Sequence, residues 1–392
     1  VENGTLLIER GRISTITRED PPAGMRVLDA RDALILPGFV NAHCHLSLSA
    51  LAGRLPKARP RFTDWVRDLL RENARIGAEE RAAAFEEGAA VLLASGVSGL
   101  GDHLDPTSQV EAYAALPQRQ VLFLETLGFQ KTAAPATLQT VRDRLGAGPA
   151  GPLARFGLAP HAPYSVSADL FKALCRLARE RGLRLSCHVA EFAEELRFLR
   201  EGGGEMEAFL RERGAYDETF RPPAQSPLGY LTDLGVLDGL LAVHLNHIDG
   251  DIDLLARHGA RAVFCPGSTR WFGRDRWVPV RELLDRGVAV ALGTDSLASN
   301  ESLNFFRELR LAEAMLPEVS RMELLTMATR MGAEALGLES GVLAPGRPAD
   351  LIGLKIEMPP KRWEDVPFAP GRESVDWHVI AGEVVAGLGG PG

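Results

Sequence analysis

The chain has little cysteine, little lysine and no long apolar run, and each shortage closes off a class of protein. Its four cysteines, Cys44, Cys175, Cys187 and Cys265, form no CxxC pair. Disulfide frameworks of secreted proteins are far denser, so reduced thiols in a cytoplasmic protein are expected. The missing CxxC also excludes the cytidine-deaminase zinc signature, in which H-x-E is followed by P-C-x-x-C. No apolar stretch approaches the roughly 18 residues that would span a bilayer. The N-terminus, VENGTLLIERGRIST, reads as a strand pattern rather than a signal peptide, and it begins without Met. A net charge of −8 argues against nucleic acid or anionic membrane as partners. The expected partner is a small-molecule substrate; a homo-oligomer is left open. Lysine occurs only at Lys57, Lys131, Lys172, Lys355 and Lys361, a scarcity that bears on the metal question below.

What is present points to a large domain with a smaller companion: 392 residues, 45% of them hydrophobic, suffice for both. A unit recurs in which a helical stretch ends at Gly and a short apolar strand follows. It appears as AAVLLASG–VSGLGD (89–102), CRLARERG–LRLSCH (175–188), LLARHG–ARAVFCP (254–266) and RELLDRG–VAVALGTD (281–295). Gly just past a helix end is a left-handed cap, and helices alternating with short apolar strands imply a parallel sheet. ALILPGFV (33–40), VLFLETLG (121–128), RFGLAP (155–160) and LLAVHLNH (240–247) supply four more strands. Eight strands over about 260 residues fit an α/β fold of the (β/α)8 TIM-barrel type. The rival, a doubly wound open sheet, lacks GxGxxG after its first strand. The two ends differ from the middle and resemble one another. They are expected to form one small β-sandwich, from residues 1–35 and 342–392, around a barrel at 36–341. The Gly- and Pro-rich stretch 202–230 reads as a long loop with a short helix.

Placed on this frame, the polar outliers gather at strand ends, where barrel enzymes build their sites. His43 and His45 follow strand 1, His103 strand 2 and His161 strand 4. His188 ends strand 5, His244 and His247 lie on strand 6, and Asp295 ends strand 8. The spacing of His43 and His45 puts both imidazoles on one face of a strand. An HxH, a distant His and a distant Asp on different strands can chelate one divalent ion, and that donor set suits zinc, with iron or manganese as alternatives. An open coordination position then holds water whose pKa falls to about 7. Glu191, three residues beyond His188, is placed to shuttle a proton to a leaving nitrogen. His244 polarises the water or the oxyanion, and Asp295 both ligates and accepts a water proton. Glu125 ends strand 3 and points to the rim. Trp65 lies in an amphipathic stretch that reads either as core or as a lid over a flat ring.

PGFVNAHCHL, APHAPYSVS, HVAE, CPGS and GTDSLASN resemble the motif series of the amidohydrolase superfamily, in its cytosine-deaminase-like, nucleoside-deaminase branch. The likeness runs over nearly the whole chain, including GVLAPGRPADLIGL near its end. It implies metal ligands His43, His45, His188 and Asp295, an acid–base pair Glu191 and His244, and a substrate-binding His161. Binuclear members carry a carboxylated Lys at the end of strand 4; here His161 fills that slot, so one metal ion is expected. A narrower resemblance, carried by RFTDWVRDLL, FLETLG, EGGGEMEAFL and SPLGYL, is to aminodeoxyfutalosine deaminases and to S-adenosylhomocysteine deaminases. Two departures stand out: Thr269 where relatives often have Asn after CPxS, and His103 where they usually lack a His.

The expected activity is hydrolytic deamination of an adenosine-like nucleoside or related purine through a metal-bound hydroxide. His161, Glu125 and Trp65 are the expected substrate contacts. A chlorohydrolase or cyclic amide hydrolase is the alternative within the class. A non-catalytic scaffold is the alternative outside it, and the complete ligand set argues against that.

Overall fold

The computed structural model describes residues 4–30, 32–57, 61–106, 108, 110–149, 151–248, 250–356 and 360–387. Strands run in chain order as β1 (Thr5–Glu9), β2 (Arg12–Thr17), β3 (Ala33–Pro37), β4 (Phe39–Cys44), β5 (Val97–Leu104), β6 (Arg119–Thr126) and β7 (Ala154–Pro160). They continue as β8 (Ser186–Val189), β9 (Leu241–His244), β10 (Arg261–Phe264), β11 (Val290–Leu292), β12 (Leu351–Lys355), β13 (Trp377–Ile380) and β14 (Glu383–Gly387).

β4 to β7 and β8 to β11 are two parallel four-stranded sheets in sequential order. Two seams close them into one barrel. At the first, Leu158 pairs with Leu185, and the His188 N–H donates to the His161 carbonyl at 2.9 Å. At the second, Cys44 pairs with Asp295, and the N–H groups of Thr294 and Asp295 both donate to the His43 carbonyl. Strands covered on both faces are apolar throughout, and every residue of β4 and β5 is buried. Val40, Val121, Phe123, Leu241, Val243 and Val263 fill the interior, so the barrel is a packed core and not a pore. Four expected helix caps, Gly96, Gly182, Gly259 and Gly287, all have positive φ, which glycine adopts without steric cost.

The chain ends meet in a second unit, a small β-sandwich. β3, β12, β13 and β14 form an antiparallel sheet. The β1–β2 hairpin packs on it through Ile13, Leu351, Trp377 and Val379. Gly353 lies under the Trp377 indole, where a Cβ would come within 1.8 Å of the ring, so only glycine fits. Arg119, at the foot of β6, donates to both carboxylate oxygens of buried Asp350, at 2.6 and 3.1 Å. That pair ties the small sheet to the barrel at the end opposite the site.

Two expectations need correction. ALILPGFV is two strands, not one. β3 belongs to the small sheet and β4 to the barrel, with the chain turning at Gly38, where a Cβ would meet the Ser98 hydroxyl at 1.7 Å. His43 therefore lies within β4 and His103 within β5 rather than after them. The stretch 202–230 is more helical than its glycines suggest, with helices Gly204–Glu212 and Pro227–Asp233. Met206 and Leu210, one helical turn apart, bury one face of the first. All four cysteines are free and buried. Among the described residues no helix is long and apolar enough to cross a membrane.

Candidate active site

Barrel closure brings side chains from distant parts of the chain to one mouth. His43 is fully buried, yet neither ring nitrogen has a hydrogen-bond partner. Buried polar atoms are nearly always satisfied, so two orphaned nitrogens on one imidazole call for a ligand. One ligand atom from each of His43, His45, His103 and His188 lies within 4.8 Å of the others. Asp295 Oδ1 stands 3.7 Å from His43 Nε2 and 3.9 Å from His45 Nε2. Its Oδ2 accepts from Ser268 and Ser299 at 2.7 and 2.9 Å, which fixes the carboxylate's rotation. The His188 Nδ1–H donates to the His161 carbonyl at 2.9 Å, a tautomer that leaves the Nε2 lone pair free. Asp102, on β5, accepts from the Leu46 N–H at 3.1 Å, pinning the peptide that follows His45.

Electrostatics suit a cation. Burial, then the neighbouring imidazoles, pushes His188 well below the usual range. Burial first, then His43 and other neighbours, does the same to His244 against the pull of Asp295. Neutral imidazoles are the ligating form. Burial alone would raise the Asp295 carboxyl, but the adjacent His43 and the other imidazoles around it hold it far below. These residues fit a divalent metal ion.

Beside this nest, Glu191 Oε2 lies 3.5 Å from His244 Nε2, while Oε1 accepts from Arg274 Nη2 at 3.1 Å. Burial pushes the Glu191 carboxyl well above its ordinary range, with Arg274 opposing. A carboxyl raised in this way can carry a proton near neutrality. Ala190, His244 and Asp295 all have positive φ. Such backbone is costly for a residue with a Cβ and collects where side chains are aimed for function.

A second polar group flanks the first. Glu125, His161 and His188 bring ligand-type atoms within 4.8 Å of one another. The His161 Nδ1 bonds the Ser165 hydroxyl at 2.7 Å. Burial would raise Glu125, but His161 and His103 hold it down to about 2. Trp65 is half-buried, and its indole N–H donates to the Ala298 carbonyl at 3.2 Å. With Phe62, Phe192 and Phe272 it lines a cavity.

Every residue expected at the site is therefore at or beside the mouth, except that His247 lies three residues beyond the end of β9. Two groups were not foreseen in their roles. His103 joins the nest from within β5, fully buried, with Nε2 on the Ser186 hydroxyl at 3.0 Å and Nδ1 3.5 Å from Glu125. Arg274 reaches Glu191 from a polar loop, GRDRW, that carries no sequence signal. The departure at Thr269 is local: its hydroxyl donates to the Cys265 carbonyl one helical turn back.

A (β/α)8 barrel with an imidazole–carboxylate nest at its C-terminal mouth defines a barrel hydrolase of the metal-dependent kind. The chain belongs to the amidohydrolase family, which matches it over residues 34–385. It is 29% identical over 381 residues to a 5-methylthioadenosine/S-adenosylhomocysteine deaminase of Symbiobacterium thermophilum, covering 91% of this chain and 82% of that one. It is 30% identical over 380 residues to a 5'-deoxyadenosine deaminase of Methanothermobacter thermautotrophicus, covering 92% and 82%. Its fold matches that of Helicobacter pylori aminofutalosine deaminase in complex with methylthio-coformycin, with a TM-score of 0.87 and 23% identity over 98% of this chain and 96% of that one.

Proposed function

We propose that the protein is a metal-dependent deaminase acting on an adenosine-like nucleoside or a related purine, with aminodeoxyfutalosine and S-adenosylhomocysteine among the candidate substrates. The relatives named for adenosine-type deamination support the substrate class. The observation that carries the chemistry is the placement of Glu191 Oε2 beside His244, at the edge of a nest of unpartnered imidazole nitrogens.

His43, His45, His188 and Asp295 would hold one divalent ion, zinc in the first place given three imidazoles and a carboxylate. Iron or manganese is the alternative. No lysine lies on a barrel strand to bridge a second ion. The ion supplies Lewis acidity that lowers the pKa of water at the site. His103 then supports the nest from beneath, held by Ser186 and Glu125.

The reaction adds water to the amino-bearing ring carbon and expels ammonia. Asp295, anionic, takes a proton from the attacking water. Glu191 delivers its proton through Oε2 to the ring nitrogen and takes back the hydroxyl proton of the adduct as the carbonyl forms, while Asp295 passes the proton it took from water to the departing amine. His244 faces the same oxygen and hydrogen-bonds the developing oxyanion. His161 and Glu125 bind the purine or its sugar across the mouth, and Trp65 packs against its flat face. Protecting the purine from bulk water is the role of the aromatic side chains Phe62, Phe192 and Phe272.

We assign residues 36–341 to the catalytic barrel and 1–35 with 342–392 to the small β unit; β3 runs two residues past that boundary. Four buried free thiols favour a cytoplasmic setting. Ammonia release from aminated nucleosides tests the whole reading.

A further inference from the structure

We propose that Arg274 is a positioning residue that clamps Glu191 into its working pose, with Glu195 holding the same turn from the other side. This rests on Glu191 being the proton shuttle.

Residues 190–192 join β8 to the helix Ala193–Glu201, and the chain makes this turn with Ala190 in the left-handed region, at φ 51°. A turn buried at a barrel mouth must satisfy its own peptide groups. Glu195, fully buried, does this on one side. Its two oxygens accept from the Ala190 and Glu191 N–H groups at 3.0 and 3.1 Å. Arg274 does it on the other. Its Nη1 donates to the Glu191 carbonyl, and its Nη2 donates to Glu191 Oε1 at 3.1 Å. One guanidinium thus grips the main chain and the side chain of a single residue.

The guanidinium is itself immobilised. Its carbon lies 4.1 Å from the ring centre of Phe192 and 4.6 Å from that of Phe272. Stacking on aromatic rings and a planar fork of donors are properties of Arg that Lys does not share. The arrangement divides the carboxyl's labour. Oε1 is the anchored oxygen, and Oε2, 3.5 Å from His244, is free to exchange protons. A free Glu side chain explores several rotamers, and only a pose aimed at the reacting atoms is productive. Among the described residues the hydrogen bonds of Arg274 go to Glu191 and none to the nest of imidazoles, so its effect is expected chiefly through Glu191.

The test is steady-state kinetics on the metal-loaded Arg274→Met and Arg274→Lys proteins, alone and combined with Glu191→Gln. Metal content and melting temperature are measured alongside. Arg274→Met is expected to lower kcat roughly 10-fold or more, with KM within about twofold of wild type and metal retained. Arg274→Lys keeps the charge but loses the fork, so it is expected to lose most of the same rate. It carries the same reading if Arg274→Met melts early. Millimolar guanidinium is expected to restore part of the Arg274→Met rate. In the Glu191→Gln background, Arg274→Met is expected to cost less than about twofold more. A rise in KM at unchanged kcat, or losses that multiply in the double variant, would overturn the positioning role. A slow Glu191→Gln protein with an unimpaired Arg274→Met protein overturns it as well while sparing the shuttle. A fully active Glu191→Gln protein overturns the shuttle assignment and this proposal with it.

Discussion

His43 and Asp295 sit side by side although 252 positions apart in the sequence, because the last barrel strand closes on the first. The Asp295 N–H donates to the His43 carbonyl at 3.1 Å, and the Asp295 carboxylate lies 3.7 Å from His43 Nε2. The hydrogen bonds that shut the barrel therefore also set the spacing between two proposed ligands. Barrel integrity and metal affinity should be coupled.

One divalent ion per chain is the expected content by elemental analysis. His43→Ala and Asp295→Ala should each lose most of it, because both leave an incomplete donor set. Two ions per chain, or full occupancy in either variant, would contradict the ligand assignment. Loading the metal-free protein with zinc should also raise its melting temperature, since the ion binds only the folded state.

Replacing Glu191 by Gln keeps shape and reach but removes the exchangeable proton. Metal content should be unchanged and turnover should fall roughly 10²-fold or more. Near-normal turnover would show that another group moves the proton.

His161 is expected to act on substrate and not on metal. In the His161→Ala protein KM should rise or kcat fall, with metal content at the wild-type level. Loss of metal would place His161 among the ligands, and unchanged kinetics would remove it from the substrate site.

Away from the mouth, His378 is a built-in source of acid sensitivity. It is fully buried between the small sheet and the barrel. Its Nδ1–H donates to the Leu93 carbonyl at 3.1 Å, and Nε2 accepts from the Ser98 hydroxyl at 2.7 Å. Burial lowers its pKa to about 4, against a smaller opposing pull from the Leu93 bond. A depressed histidine is neutral in the fold but titrates near 6.5 when unfolded. The unfolded chain therefore binds more protons between those values. Stability is full above about pH 6.5 and declines as pH falls to about 4, by on the order of 3 kcal/mol. His378→Gln should flatten the slope of melting temperature against pH in that window. An unchanged slope would show that carboxylates alone set it.

The HxH at 43–45, His188 and Asp295 could be read from the sequence because parallel barrel strands are short and apolar, so a polar residue at a strand's C-terminal end stands out. The same rule marked Glu125 and His161. It misjudged the first strand because ALILPGFV is apolar throughout, and periodicity cannot show where such a run passes from one sheet to another; the signal was the Pro37–Gly38 pair, a turn dipeptide inside the run. Arg274 was invisible for the opposite reason. It lies in a charged loop, and nothing local distinguishes it from Arg270 or Arg276; only the fold brings it to Glu191. The helix Gly204–Glu212 was masked by its flanking glycines, although Met206 and Leu210 already had helical spacing.

The most direct measurement follows ammonia release, and the ultraviolet change from adenine to hypoxanthine, on adenosine, S-adenosylhomocysteine and aminodeoxyfutalosine. It is run with the zinc-loaded protein and again after chelation. Turnover of at least one of the three is expected, abolished by the chelator and restored by zinc. Turnover of a chlorinated triazine or a cyclic amide with none of the three nucleosides, or nucleoside turnover indifferent to metal removal, would contradict the account.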